Sequence, residues 1–346
     1  MTIPKQHDSD SPNKITFLIY CARSGSTFLA NGISERRPSV VVIPETRLPL
    51  LIIWRNEDEI RAMDVPGLRA FFDRDMQLDN LGLSEAQLQA LAHAQAGQGR
   101  RALLLGLFEA YRSAHGLKGS HFLVKNARVV FEQKALREVL PEAEFLEILR
   151  DPRGVANSMM TTRTVYSYGG PMAGGDPLKA ARIWLQHRRA MDQLTEPVTQ
   201  VRYEEVMANP ATVAPLLTLL FGPEGKGAAP ATAQIVSEKE RSLHKLVGKE
   251  ANASRLDAWK TNISARTGMA IEALLGEAMI KAGYRPHFTA GADADEIRAA
   301  CAYQARVSKL LLAKHAARTG IHWVREAFKS PTQVLFRIEN MRRNPR

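Results

Sequence analysis

The sequence predicts an α/β fold, a central parallel sheet of about five strands with helices on both faces. Three observations carry that expectation. Short β-branched and aromatic runs alternate with segments of helical periodicity from Lys14 to Arg202. The first run passes directly into a polar turn and then a helix. Finally, Arg23, Glu45, Lys125 and Arg150 each fall at or just past the carboxyl end of an expected strand, where ligands bind in sheets of this kind.

Lys14-Ile15-Thr16-Phe17-Leu18-Ile19-Tyr20 is the first expected strand. Cys21-Ala22-Arg23-Ser24-Gly25-Ser26-Thr27 turns the chain, and Phe28-Leu29-Ala30-Asn31-Gly32-Ile33 continues as a helix that Ser26 or Thr27 is expected to cap. A strand, a tight turn and a helix start gather backbone N–H groups around one point, and the helix dipole and Arg23 add positive field. Gly25 allows close backbone approach, while the hydroxyls of Ser24, Ser26 and Thr27 can donate to anionic oxygens. The cup suits a phosphate-like group. It is not a Walker A loop, because no lysine precedes Ser26 or Thr27. Without a ligand it would be an ordinary strand–helix turn.

Val40-Val41-Val42-Ile43 is the second strand, broken by Pro44 and followed by Glu45-Thr46-Arg47. Residues 48–120 read as a mostly helical insertion. His121-Phe122-Leu123-Val124-Lys125 is the third strand, and residues 133–140 a short helix. Glu144-Phe145-Leu146-Glu147-Ile148-Leu149 is the fourth strand; Arg150-Asp151-Pro152-Arg153 then turns into a helix near residues 154–163. Gly169-Gly170-Pro171-Met172-Ala173-Gly174-Gly175 reads as a mobile loop. A helix over 177–194 precedes the fifth strand, Val198-Thr199-Gln200-Val201-Arg202.

Composition bounds the function. Hydrophobic residues make up 45% and charged residues 24% of the 346-residue chain, as in ordinary globular proteins. Two cysteines, Cys21 and Cys301, are too few for a disulfide framework and fit a reducing compartment. The polar start and the lack of a long uncharged apolar stretch point to a cytoplasmic protein. Of the net charge of +11, +9 falls between Arg298 and Arg346, where eleven Lys/Arg face two acids. The remainder is near neutral, which argues against a nucleic-acid-binding domain.

Arg23-Ser24-Gly25-Ser26-Thr27 after one strand, with Arg150-Asp151-Pro152-Arg153 ending another and Ser158 on the next helix, resembles the sulfotransferase family. Arg202-Tyr203-Glu204-Glu205, Asn252 followed by Trp259, and Ala282-Gly283-Tyr284 extend the likeness over residues 14–286. The resemblance implies a P-loop NTPase-like fold and 3′-phosphoadenosine 5′-phosphosulfate (PAPS) as donor co-substrate, with no metal. It further implies a hydroxyl-bearing acceptor: sugar, peptide tyrosine, lipid or secondary metabolite. By the same likeness, Arg23, Ser24, Gly25, Ser26, Thr27 and Phe28 hold the 5′-phosphosulfate, Arg150 and Ser158 the 3′-phosphate, and Tyr203, Lys249 and Asn252 the rest of the nucleotide. A second 3′-phosphate arginine is expected four residues after Ser158, but Thr162 stands there and Arg163 follows.

Sulfuryl transfer needs a base for the acceptor proton and positive charge over the equatorial oxygens and leaving phosphate. Arg23 and Lys125 are the candidates for that charge, although Lys125 alone would read as a solvated strand-end lysine. In related small-molecule enzymes a histidine follows the third-strand lysine by three residues; here Arg128 occupies that position and cannot act as a base. Glu45-Thr46-Arg47 matches the tyrosylprotein type, closest to the bacterial carbohydrate and tyrosylprotein enzymes with a glutamate base, so Glu45 is the expected base. The bland alternative is a surface Glu–Arg pair. Ser242, or else His244, is the expected transition-state group.

The resemblance divides the chain into a sulfotransferase domain, 14–290, and a basic helical appendage, 291–346. In the appendage Leu310-Leu311-Leu312, Ile321, Trp323-Val324, Phe328 and Val334-Leu335-Phe336 look amphipathic. It either packs on the domain or a second subunit, or docks on an anionic membrane or acidic acceptor. Two other functions compete: a P-loop kinase-like phosphotransferase, and a non-catalytic nucleotide- or polyanion-binding protein of the same fold.

Overall fold

The computed structural model describes residues 14–163, 170–225 and 256–329. Its frame is a five-stranded sheet in the order β2-β3-β1-β4-β5, with every neighbouring pair parallel. The strands are β1 (Lys14–Tyr20), β2 (Val40–Ile43), β3 (His121–Lys125), β4 (Glu144–Leu149) and β5 (Val198–Arg202). All five strand ranges coincide with those read from the sequence. Parallel pairing buries a sheet on both faces, which is why β1 to β4 are nearly continuous apolar runs, while the edge strand β5 keeps only Val198 and Val201 apolar.

Alternate residues of each strand serve different cores. Ile15, Phe17 and Ile19 join Val41, Ile43, Phe122 and Phe145 under the helices of the insertion. These are α2 (Leu48–Ile53), α3 (Glu57–Arg61), α4 (Val65–Phe72), α5 (Glu85–Gln95) and α6 (Arg100–Ala114), with α7 (Gln133–Val139) closing the same face. Leu18 and Tyr20 point the other way, with Val40, Val42, Leu123 and Ile148. There they meet α1 (Ser26–Arg36), α10 (Tyr203–Ala208) and α11 (Ala214–Phe221). The period of two along a strand thus fixes which helix covers which face.

A third core lies beyond β4. It joins α8 (Pro152–Thr161), α9 (Pro177–Met191), α12 (Ala258–Asn262) and α13 (Ala265–Lys281), with Trp184, Trp259 and Ile271 buried at its centre. The last element, α14 (Ala294–Lys329), lies against α13, α9 and the turn over Met172–Gly175. That turn corrects part of the expected mobile loop. Residues 172–175 form a 3-10 turn with Gly174 buried against His315 of α14.

Two histidines of the core are held neutral. His121 Nε2 lies 2.7 Å from Thr16 Oγ1, and burial, aided by nearby Lys14, lowers its pKa to about 4. Burial, with Arg188 adding to it, lowers that of His187 to about 3. In the unfolded chain both protonate near pH 6.5, so the stability they contribute is complete above that pH and is lost as pH falls toward 4. We expect thermal stability to drop between pH 6.5 and 4, by on the order of 1–3 kcal/mol for each histidine. His121→Gln should flatten that slope; an unchanged slope would show that His121 does not contribute.

Candidate active site

The strand ends deliver the site. The chain leaves β1 at Tyr20 and reaches α1 through Arg23, whose φ of 73° places a non-glycine residue in the left-handed region. Such a conformation costs about 1–2 kcal/mol and is held only by its surroundings. Those surroundings are specific. The Arg23 carbonyl accepts a 2.7 Å bond from Arg150 Nη1, and Arg23 Nε donates to Ser158 Oγ at 3.1 Å. Arg150 comes from the end of β4 and Ser158 from α8.

Gly25, not Ser26 or Thr27, stands at the helix N-cap, with φ 89° and no side-chain cap bond. This corrects the expected cap. A Cβ at Gly25 would sit 2.4 Å from the Tyr203 ring, so both the backbone and the close approach of Tyr203 require glycine. The amides of Ser26, Thr27 and Phe28 are first-turn donors without helical partners. Thr27 Oγ1 instead accepts from Lys125 Nζ at 3.1 Å. Lys125 is only 3% exposed, which removes the reading of a solvated strand-end lysine. Ser24 Oγ is buried and has no hydrogen-bond partner among the described residues. A buried hydroxyl left unsatisfied costs about 1–3 kcal/mol, and an anion in the cup would satisfy it.

Glu45 lies two residues beyond β2. The Tyr20 phenol donates to its Oε2 at 2.6 Å. Its loop is clamped from outside: Asn80 Nδ2 donates to the Glu45 carbonyl at 2.9 Å, and Asn126 Nδ2 to that of Thr46 at 3.3 Å. Buried Asp75 accepts from the Thr46 hydroxyl and from the amides of Arg47 and Leu48, at 2.7 and 3.0 Å for the amides. Sequence reasoning missed Tyr20, Asp75, Asn80 and Asn126 as supports of this carboxylate. No local signal flags them: Asp75 and Asn80 lie in the polar run Asp73-Arg74-Asp75-Met76-Gln77-Leu78-Asp79-Asn80.

Toward β5, the Arg150 guanidinium stacks over the Tyr203 ring at 4.1 Å, while Trp184 Nε1 donates to the Arg150 carbonyl at 3.1 Å. Glu204 receives the Asp151 amide at 2.9 Å and the Tyr284 phenol at 3.0 Å; burial raises its pKa. Arg202 Nη2 reaches the Ala282 carbonyl at 2.7 Å. Arg153 is clasped by Asp151 and Glu272 at 2.7 and 2.6 Å and lies over Trp259. Segments around 150, 203, 259 and 284 are therefore one contiguous wall.

Arg23, Ser24, Gly25, Ser26, Thr27, Phe28, Glu45, Lys125, Arg150, Ser158 and Tyr203 all lie at the carboxyl end of the sheet or on the elements that leave it. Phe28 turns its ring to the core beneath α1. Arg163 is exposed just past the end of α8, its backbone bridged to Pro171. Ser242, His244, Lys249 and Asn252 lie outside the described residues.

The chain belongs to the sulfotransferase family, whose model matches residues 16–222. The fold is similar to that of a sulfotransferase domain from the curacin biosynthetic pathway, at 18% identity and a TM-score of 0.55, over 80% of this chain and 99% of that one. It is likewise similar to a sulfotransferase domain of the Synechococcus PCC 7002 olefin synthase, with 18% identity, a TM-score of 0.53, and 81% and 98% coverage. At such identities the likeness establishes the shared P-loop-like α/β fold. Comparison with curated proteins gave no match.

Proposed function

We propose that the protein transfers a sulfuryl group from PAPS to an acceptor hydroxyl, with Glu45 as the general base. The observation that carries this reading is the placement of three unlike groups around one cup. A carboxylate stands past β2, a buried lysine ends β3, and an anion-binding turn follows β1, on three adjacent strands.

The donor fits the residues present. The orphaned Ser24 hydroxyl and the first-turn amides of α1 suit the 5′-phosphosulfate, and Arg150 with Ser158 suits the 3′-phosphate. Tyr203 would border the nucleotide beside Arg150; Lys249 and Asn252 complete that side in this reading. The acceptor oxygen bonds to sulfur as the sulfur–oxygen bond to the leaving phosphate breaks, and the acceptor proton passes to Glu45. Arg23 and Lys125 offset the charge on the oxygens, and Ser242, or else His244, is the proposed transition-state group. Preorganised charge of this kind commonly supplies about 3 kcal/mol for each donor.

Residues 14–290 form the catalytic unit in this reading, and 291–346 an appendage outside it. A cytoplasmic setting suits the two free thiols, Cys21 and Cys301.

Arg150→Ala and Ser158→Ala are expected to weaken binding of adenosine 3′,5′-diphosphate by roughly 1.5–3 kcal/mol each. By calorimetry, the loss should be much smaller for adenosine 5′-phosphate. Because both residues also hold Arg23, a small common loss is expected for either nucleotide. Equal losses would refute the 3′-phosphate assignment.

A further inference from the structure

Helix α14 is fastened to the domain along one face. Ala300 is buried, Gln304 Oε1 accepts from Thr267 Oγ1 at 3.0 Å, and buried Ser308 donates to Asp176 at 2.5 Å. Farther along, His315 lies against Gly174. The opposite side carries a second, unpartnered pattern. Tyr303, Leu310, Ile321, Val324 and Phe328 are exposed, from 48% at Tyr303 to 86% at Phe328. At about 100° per residue these five fall within an arc of about 60°, roughly 130° round the helix from the anchoring face.

The charges around the stripe have one sign. Between Ile297 and Arg325 the helix carries Arg298, Arg306, Lys309, Lys314, Arg318 and Arg325 and no acid. Arg298 pairs with Asp295, while no carboxylate among the described residues pairs with the other five. Arg306 lies at one edge of the stripe, Lys314 and Arg325 within about 40° of the other, and Lys309 and Arg318 about 60° outside it. Arg266 adds a further cation, stacked over the Tyr303 ring at 5.2 Å. Long basic side chains let their stems lie on apolar surface while their heads reach outward.

We propose that α14 docks the enzyme on an anionic lipid surface, lying along the headgroup plane with Leu310, Ile321, Val324 and Phe328 inserted. An apolar stripe with cationic flanks is the pattern of an interfacial helix. No helix among the described residues is long and apolar enough to cross a membrane, so α14 lies on the bilayer rather than through it. Charge selects this occupant over two others. A second copy of the chain would set the same unpaired cations against each other, since a twofold interface presents one patch to itself. A nucleic acid would match the cations but leave the apolar stripe in water.

The test uses the full chain and is independent of sulfotransferase activity. Wild type should sediment with vesicles containing phosphatidylserine, stay in solution with phosphatidylcholine alone, and be released by salt. Leu310→Ser/Ile321→Ser/Phe328→Ser and Lys309→Glu/Lys314→Glu/Arg318→Glu, all at exposed sites, should each bind at least about tenfold more weakly with unchanged melting. Wild type that ignores the anionic vesicles, or binds neutral ones equally, would overturn the proposal. So would dimerisation abolished by the serine variant, or a nucleic acid that competes the protein off the vesicles.

Discussion

Glu45→Gln is expected to bind the donor as wild type does and to turn over about 10²–10⁴-fold more slowly, the usual contribution of a positioned base. The geometry makes the substitution clean. Tyr20 donates to Oε2 at 2.6 Å, and the amide oxygen of glutamine can accept the same bond. The loop itself is held largely through its backbone, by Asp75, Asn80 and Asn126. What the amide cannot do is take a proton from the acceptor. The deficit should therefore grow with the acceptor's pKa. A phenol, near pKa 10, is partly activated already, whereas an alkyl hydroxyl depends on the base throughout. Steady-state rates with one acceptor of each kind decide it. Equal, small losses for both would take the base role away from Glu45.

The second large effect is structural. Glu272→Leu is expected to destabilise the protein by about 3–5 kcal/mol, because it leaves Arg153 with a buried, half-compensated charge. Glu272 also accepts the amides of His287, Phe288 and Thr289 at 2.8–3.0 Å and the Thr289 hydroxyl at 2.9 Å. Burial works to raise its pKa, but these bonds and Arg153 outweigh that and hold it below the ordinary carboxylate value. The stability it provides is accordingly present above pH 4.5 and lost as pH falls through the lowered value. A melting temperature lower by roughly 4–7 °C is the expected reading. A drop of a degree or less would mean that the segment after α13 is held by its aromatic contacts alone. These are the packing of Phe288 and His287 on Trp259.

The strands β1 to β4 were legible because parallel sheets need near-continuous apolar runs bounded by polar or turn residues, and β5 through its two valines at the edge. Their order was not. The placement of β1 between β3 and β4 depends on how crossovers pack, which no local pattern records. The turn between β1 and α1 is legible in outline through Arg23, Gly25 and Thr27, but local pattern misplaces its cap. Hydroxyl preference at N-caps pointed to Ser26 or Thr27, whereas the left-handed backbone the turn demands gave the position to Gly25. Thr27 was then free to meet Lys125, a contact between residues 98 positions apart. The supports of Glu45 were invisible for the same reason. Asp75 and Asn80 sit in a helical insertion whose periodicity describes packing and says nothing of which loop it braces. Arg153 belongs to a recognisable motif, but nothing local ties it to Glu272, 119 positions away.

The most direct test of the central reading is product analysis with PAPS and a panel of hydroxyl acceptors, in excess EDTA. Stoichiometric formation of adenosine 3′,5′-diphosphate and sulfated acceptor is the expected result, abolished or severely slowed in Glu45→Gln. Donor binding without either product across the panel would contradict it and leave a nucleotide-binding protein of this fold. Transfer that EDTA abolishes would contradict it in favour of metal-dependent phosphotransfer.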